Sequence, residues 1–269
     1  MQNVPQKRKP TYSLESVDNA LHLVQVLRDE GRLRLKDAAQ QLGIAPSTAH
    51  RLMAMLVYRG FAVQDESRTY LPGPSIGVPP VSMGWTREFR RLAEPHLELL
   101  LSRLGETVNL MIRVGTSVRF LQTIESSQFL RVGDRQGSVL PARHASGGKA
   151  MLAELDSAHL AKLYQSQGSA FASDLMSAHD FDGLVEELRR VRGLGYAINS
   201  EETEDGLVAI GCVLTNRAGV AVGAFSVAAP AVRSRALLRD DSIRMILATR
   251  ASIEHEIADL SVDGPERVA

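Results

Sequence analysis

The sequence predicts an α+β protein of two unequal parts: a small helical unit closed by a β-hairpin, then a larger mixed α/β unit. Three observations predict it. Residues 33–71, LRLKDAAQQLGIAPSTAHRLMAMLVYRGFAVQDESRTYL, read as two short helices around a glycine, followed by a hairpin. Residues 71–84, LPGPSIGVPPVSMG, hold four prolines and three glycines and cannot form a regular helix interior. Beyond them, apolar periods of about 3.6 and about 2 residues alternate along the chain. The boundaries drawn are a disordered basic arm at 1–12, the small unit at 13–73, a linker at 74–86 and the larger unit at 87–262.

The first helix is expected from Ser16, as N-cap, to Gly31, with Val17, Ala20, Leu21, Val24 and Leu27 as its apolar stripe. A second runs from about Lys36 to Leu42 with Ala38 and Ala39 inward, and Gly43 breaks it. A third begins at Pro46–Ser47, where Ser47 can cap, and turns Ala49, Leu52, Met53 and Leu56 inward. Strands follow at 62–63 and 69–71 around the turn Asp65-Glu66-Ser67. After the linker a helix carries Leu97, Leu100, Leu101 and Leu104, with Pro95 expected to kink or restart it. Val108, Leu110, Ile112 and Val114 alternate like a half-buried strand, and a second strand spans 118–124. Helices are expected at 148–154, 157–164 and 181–192, strands at 207–214 and 220–228, and a last helix through Ile243, Ile246, Leu247, Ile253 and Ile257.

Composition narrows the class. Hydrophobic residues are 44% and charged residues 23% of 269, ordinary for a globular protein. The single Cys212 excludes an internal disulfide and fits a reducing compartment. No run approaches the roughly 20 apolar residues of a membrane helix, and the N-terminus lacks an apolar signal core. The cytoplasm is the expected location, with no membrane partner. Net charge is zero, yet residues 1–72 hold ten Lys and Arg against seven Asp and Glu, and the remainder 21 against 24. Lys7, Arg8 and Lys9 form a basic arm suited to tracking phosphates, and equally to being a solvated tail.

The 33–71 pattern is that of a winged helix-turn-helix, and it points to double-stranded DNA. With the apolar face of the third helix committed to the core, Ser47, Thr48, His50 and Arg51 are left on the free face near its N-terminus. A recognition helix presents such residues to base edges in the major groove. Arg51 suits a guanine, where a bidentate pair discriminates by ~1–3 kcal/mol. Ser47 and Thr48 suit phosphates at the positive helix end. Lys36 opens the helix that crosses the backbone, and Arg68, near the hairpin tip, suits phosphate or the minor groove.

Four stretches then resemble the IclR family of bacterial transcription regulators: SVDNALHLVQVL (16–27); LGIAPSTAHRLMAMLVYRGF (42–61); GETVNLMIRVG (105–115) with LRVGDRQGSVLPARHASGGKAMLA (130–153); and ELRRVRGLGYAINSEETEDGLVAIGCVL (187–214) with GVAVGAFSVAAP (219–230). The resemblance implies a winged-helix head and a C-terminal α/β effector domain similar to GAF and profilin-like sensors. It implies a homodimer through the head, often a homotetramer, on a pseudo-palindromic operator. It implies control of small organic acid catabolism, commonly repression relieved by ligand. An activator of the same class is the alternative. An enzyme with a helical appendage is the reading from another class, separable because a regulator binds duplex DNA with steep salt dependence.

The resemblance also implies effector positions: Ser146 and Gly147 in the loop before a GKALLA-like helix, and Asn199, Leu207, Ala209, Ser226 and Ala228 around the late strands. Backbone N–H groups at Ser146–Gly147 can approach a carboxylate there. Some members carry an acid at the Asn199 position, Cys at Ala209 and Ser at Ala228. With amide and methyl groups in those places, the pocket is expected to favour an aromatic acid over the two- and three-carbon acids sensed by some relatives; ordinary drift at packed positions would look the same.

Other chemistries fit poorly. HASGGKA (144–150) lacks the first glycine and the Ser/Thr of a phosphate loop. Ser146, His144 and the acidic run 201–205 have no nucleophile-elbow context. No His pair has metal-ligand spacing. Neither a cofactor nor a metal is expected. Glu201–Asp205 is expected to be a solvated loop, and Cys212 a buried inert thiol, with a redox role second.

Overall fold

The fold is described from a computed structural model. The residues described are 12, 14–64, 68–73, 75–76, 83–165 and 175–262. The arm with Lys7, Arg8 and Lys9, the turn 65–67 and most of the linker lie outside them. The chain divides into two compact units, Met1–Gly77 and Val78–Ala269.

In the first unit, α1 (Glu15–Glu30), α2 (Leu35–Leu42) and α3 (Pro46–Tyr58) surround a core of Leu23, Leu27, Leu33, Ala38, Met53, Leu56, Ala62 and Tyr70. Gly43, in the left-handed region at φ 63°, makes the turn between α2 and α3. A three-stranded sheet closes the unit. Strand β3 (Thr69–Pro72) lies between β1 (Leu33–Arg34) and β2 (Ala62–Gln64), all antiparallel.

Three details of this unit differ from expectation. Neither Ser16 nor Ser47 caps a helix. The cap positions are Leu14 and Ala45, whose carbonyls accept the first helical N–H groups, and Pro46 fills the first turn with a preset φ. The stripe expected on α1 is also rotated. Leu23 and Leu27 are fully buried, whereas Val17 and Leu21 are 50% and 59% exposed, so with Leu14 they form an uncovered apolar row. Strand β1 was not expected, because two residues are too short to show a period.

The second unit is a six-stranded antiparallel sheet in the order β6-β5-β4-β9-β8-β7. Its strands are β4 (Thr107–Val114), β5 (Ser117–Ile124), β6 (Val139–Pro141), β7 (Ala197–Ser200), β8 (Leu207–Thr215) and β9 (Ala221–Pro230). Helices α4 (Met83–Leu104) and α9 (Asp240–Glu256) pack on one face through Phe89, Leu97, Leu100, Ile246 and Ile253. On the other, α5 (Ser146–Leu152), α6 (Ser157–Tyr164) and α7 (Ala178–Leu194) pack through Met151, Leu160, Tyr164, Leu184 and Leu188. A 3-10 turn (Ala231–Arg233) and α8 (Ser234–Leu237) follow β9. The side chains of Asp156 and Ser177 cap α6 and α7.

Helices on both faces explain a second correction. Strand β4 is not half-buried: its residues 107–112 are buried on either side. Helix α4 starts at Met83, so the linker ends earlier than 86. Trp85 and Phe89, one turn apart with ring centroids 6.4 Å from each other, draw the first turn onto the sheet. Pro95 neither ends nor restarts α4. It is exposed, while Ala93 and Leu97 hold the buried side.

Candidate functional site

Two sites emerge, one in each unit. In the first, Lys36, Ser47, Thr48, His50 and Arg51 are all exposed, the last four on the opening turns of α3. Ala49, Met53 and Leu56 face inward from the same helix, which is why these polar residues share the outer face. Arg68 stands at the start of the hairpin's return strand with φ 61°, and its carbonyl accepts from Gln64 Nε2 at 3.4 Å. The head therefore offers a helix N-terminus and two guanidinium groups on exposed positions, the elements of groove and phosphate contact.

In the second unit, strand register gathers the sensor positions. Asn199 pairs with Ala209, and Ala209 with Ala228, in one row across β7, β8 and β9. In the next row Gly211 pairs with Ser226, and Ser226 with Asn109. Alternation sends Ile210, Cys212 and Leu214 to the α4–α9 face and leaves Leu207, Ala209 and Gly211 toward the other. A cavity of about 20 Å3 lies there, lined by Ser146, Asn199, Leu207, Ala209, Ser226 and Ala228, six of the seven sequence-derived positions. Val132 joins Leu207, Ala209 and Ala228 in a small apolar cluster at its wall.

Gly147 is the seventh and does not line the cavity. It is buried in the first turn of α5, and a Cβ there would meet Met111 Sδ at 2.6 Å. A Cβ on Gly211 would lie 2.3 Å from Gly147 N, so the two glycines let helix and strand touch backbone to backbone. The reason for glycine here is close packing.

The sequence reading also missed lining residues: Asn109, Met111, Phe120, Arg135, Leu140, Ala145 and Thr203. Asn109, polar within the apolar run Val108–Ile112, was a signal available in the sequence. Arg135 was not legible, because the segment between β5 and β6 has no period. That segment is pinned by Thr107 Oγ1, which donates to Val132 O at 2.7 Å, and by Arg233, which donates to Leu130 O at 2.8 Å while pairing with buried Glu106.

The acidic run is not simply solvated. Lys149, 1% exposed, donates to Glu187 Oε1 and Glu202 Oε1, each at 2.6 Å, and to Ile198 O at 3.2 Å. Burial disfavours the Glu202 carboxylate, but the His144 imidazole 3.9 Å away and the hydrogen-bonded Lys149 ammonium outweigh it and hold the group below its ordinary range. All three Lys149 protons have acceptors, so this lysine does not serve as a phosphate clamp. Burial pushes the Cys212 thiol up to about 12, which keeps it protonated and unreactive. Among the described residues no group of three His, Cys, Asp or Glu is placed to hold a metal, and no helix is long and apolar enough to cross a membrane.

Comparison with known proteins identifies both units. Residues 16–66 match the IclR helix-turn-helix domain and residues 86–255 the bacterial transcriptional regulator IclR C-terminal domain. The chain is 32% identical over 222 residues to the HTH-type transcriptional regulator BhcR of Paracoccus denitrificans, covering 82% of this chain and 79% of that one. It is 27% identical over 225 residues to the HTH-type transcriptional repressor AllR of Escherichia coli K12, covering 81% of each. The IclR structure of Thermotoga maritima superposes with a TM-score of 0.56 at 20% identity, over 90% of this chain and 98% of that one. An IclR homolog of Microbacterium hydrocarbonoxydans, complexed with 4-hydroxybenzoate, gives 0.56 at 17% identity over 90% and 98%. These relatives are regulators rather than enzymes, and with both of its units matched the chain belongs to the IclR family of DNA-binding transcription regulators.

Proposed function

We propose that this regulator binds a pseudo-palindromic operator as a homodimer or homotetramer and represses a catabolic operon until a small organic acid, aromatic in its body, occupies the second unit. The observation that carries the sensor half is the gathering of Ser146, Asn199, Leu207, Ala209, Ser226 and Ala228 around one cavity. The methyl and amide groups of that wall suit an apolar body better than a two-carbon acid. The named repressor AllR and the homolog holding 4-hydroxybenzoate support the class. In the head, Arg51 is assigned to a base edge in the major groove with His50 beside it, Ser47 and Thr48 to phosphates at the helix N-terminus, Lys36 to the backbone, and Arg68 to phosphate or the minor groove. The exposed row Leu14, Val17 and Leu21 on α1 supports pairing of two heads.

The cavity's size has a consequence. About 20 Å3 holds one water, whereas a benzene-sized guest needs on the order of 150 Å3. An aromatic acid therefore enters by widening this cavity, and that widening is the conformational signal we assign to occupancy. The test is a thermal-shift panel on the full chain with benzoates, phenylpropionates, glyoxylate and pyruvate. At a hundredfold excess over Kd a ligand stabilises the folded state by ~2.7 kcal/mol. Aromatic acids are expected to raise the melting temperature and release operator DNA in a gel-shift. Stabilisation by glyoxylate and pyruvate alone would overturn the aromatic assignment.

A further inference from the structure

Among the described residues lining the cavity, Arg135 is the one cation and none is a carboxylate. Both amides are partly engaged. Asn199 accepts from Glu202 N at 2.9 Å and donates to Thr203 Oγ1 at 2.7 Å, and Asn109 accepts from Thr123 Oγ1 at 2.8 Å. Arg135 is anchored by its backbone N–H, which donates to Thr123 Oγ1 at 3.1 Å. Its guanidinium pairs with Glu204. The two partners differ in exposure: the Arg135 side chain is 19% exposed, Glu204 60%. The pair thus runs from the cavity lining to solvent and ties the 125–138 segment to the 201–206 loop across the cavity's edge.

We propose that Arg135 receives the carboxylate of the cavity's ligand, and that the ligand displaces Glu204 from it. This rests on the ligand-responsive reading above and names the group that reads ligand charge. An acid entering a wall of methyl, amide and neutral hydroxyl groups is short of a counter-ion, because an unpaired buried carboxylate is costly. Arg135 offers a planar fork of five N–H donors that matches a carboxylate. Glu204 loses little on leaving, since most of its surface already faces water and exposed pairs are weak. Arg135 gains, because its new partner sits where water is excluded. The same exchange removes one tie between the 125–138 segment and the 201–206 loop, while Thr107 and Arg233 still hold Val132 and Leu130. Arg135 is a receptor distinct from the Ser146–Gly147 backbone, of which Ser146 lines the cavity and Gly147 does not.

The experiment titrates the full chain with benzoate, phenylpropionate and pyruvate and with their matched amides, by thermal shift and calorimetry. The wild-type protein is expected to bind an acid in preference to its amide. Arg135→Gln should weaken the acid about ten- to a hundredfold and erase the preference, with Arg135→Lys recovering part of it. Glu204→Gln should strengthen the acid by up to about fivefold, because the competitor is gone. Should Arg135→Gln not fold by circular dichroism, the Glu204→Gln arm decides: unchanged or weaker acid binding overturns the proposal. Ala209→Val, which narrows the cavity, separates the two readings. If it blocks an acid that Arg135→Gln binds as well as wild type does, the cavity reading stands and the Arg135 assignment falls. If Ala209→Val leaves acid binding unchanged, or if no acid in the panel is preferred to its amide, the cavity reading or the charge reading fails and the proposal with it.

Discussion

Replacing Lys149 by methionine should be among the most damaging single substitutions in the second unit. The ammonium is 1% exposed and gives all three protons to protein acceptors on α7, on β7 and in the loop after β7. Methionine keeps the stem and most of the volume but removes the charge and all three donors. Breaking a buried pair from one side costs about 3–5 kcal/mol. Here the orphaned carboxylates, Glu187 and Glu202, are each 34% exposed and can partly rehydrate, so we discount the loss to about 2–3 kcal/mol. For a unit of this size each kcal/mol moves the melting temperature by roughly 2–4 °C, so the expected drop is about 4–12 °C. The pH dependence adds a sign. Glu202 is held below its ordinary 4.5, so its stabilisation is full above that value and is lost as pH falls through the lower folded value. Part of that hold comes from Lys149, and His144 faces the same carboxylate at 3.9 Å. The gap between wild type and Lys149→Met should therefore narrow as pH is lowered below 4.5. Calorimetry on both proteins from pH 7 to 3 checks this. A drop under about 1 °C at pH 7, or a gap that does not narrow in acid, would refute the account of Lys149 as a charged tie.

Three further outcomes are expected. Arg51→Ala should weaken the operator by ~1–3 kcal/mol and relax its sequence preference, while Arg68→Ala should weaken all duplexes alike and flatten the salt slope by about one unit; identical sequence profiles in gel-shift titrations would contradict that division. Leu21→Glu, which places a charge in the exposed Leu14–Val17–Leu21 row, should shift the protein toward smaller species in sedimentation and weaken operator binding; an unchanged sedimentation profile would remove α1 from the interface. Cys212, fully buried and raised to about 12, should resist a thiol reagent in the native protein and react only on unfolding; rapid native labelling would reopen a redox role.

Much of this protein is legible without coordinates where a local period reports a local environment. The α3 face, the glycine between α2 and α3, and the continuous apolar runs of β8 and β9 are consequences of neighbouring residues alone. That Ser47, Thr48, His50 and Arg51 share the exposed face of α3 follows directly, because one helix fixes both its inner and outer faces. The short strands β1, β6 and β7 were missed because two to four residues carry too little pattern and are made by pairing with distant partners. The row Leu14–Val17–Leu21 looked like core because periodicity records that a face is apolar, not what covers it. The cavity was reached only through resemblance, and its charge was not reached at all. Arg135 and Glu204 are 69 residues apart, and Lys149 meets Glu187 and Glu202 at separations of 38 and 53. Such ion pairs are set by how the sheet and helices close on each other. Tertiary structure alone decided that Gly147 is a packing contact, that the acidic loop is tied down, and that Arg135 stands at the cavity.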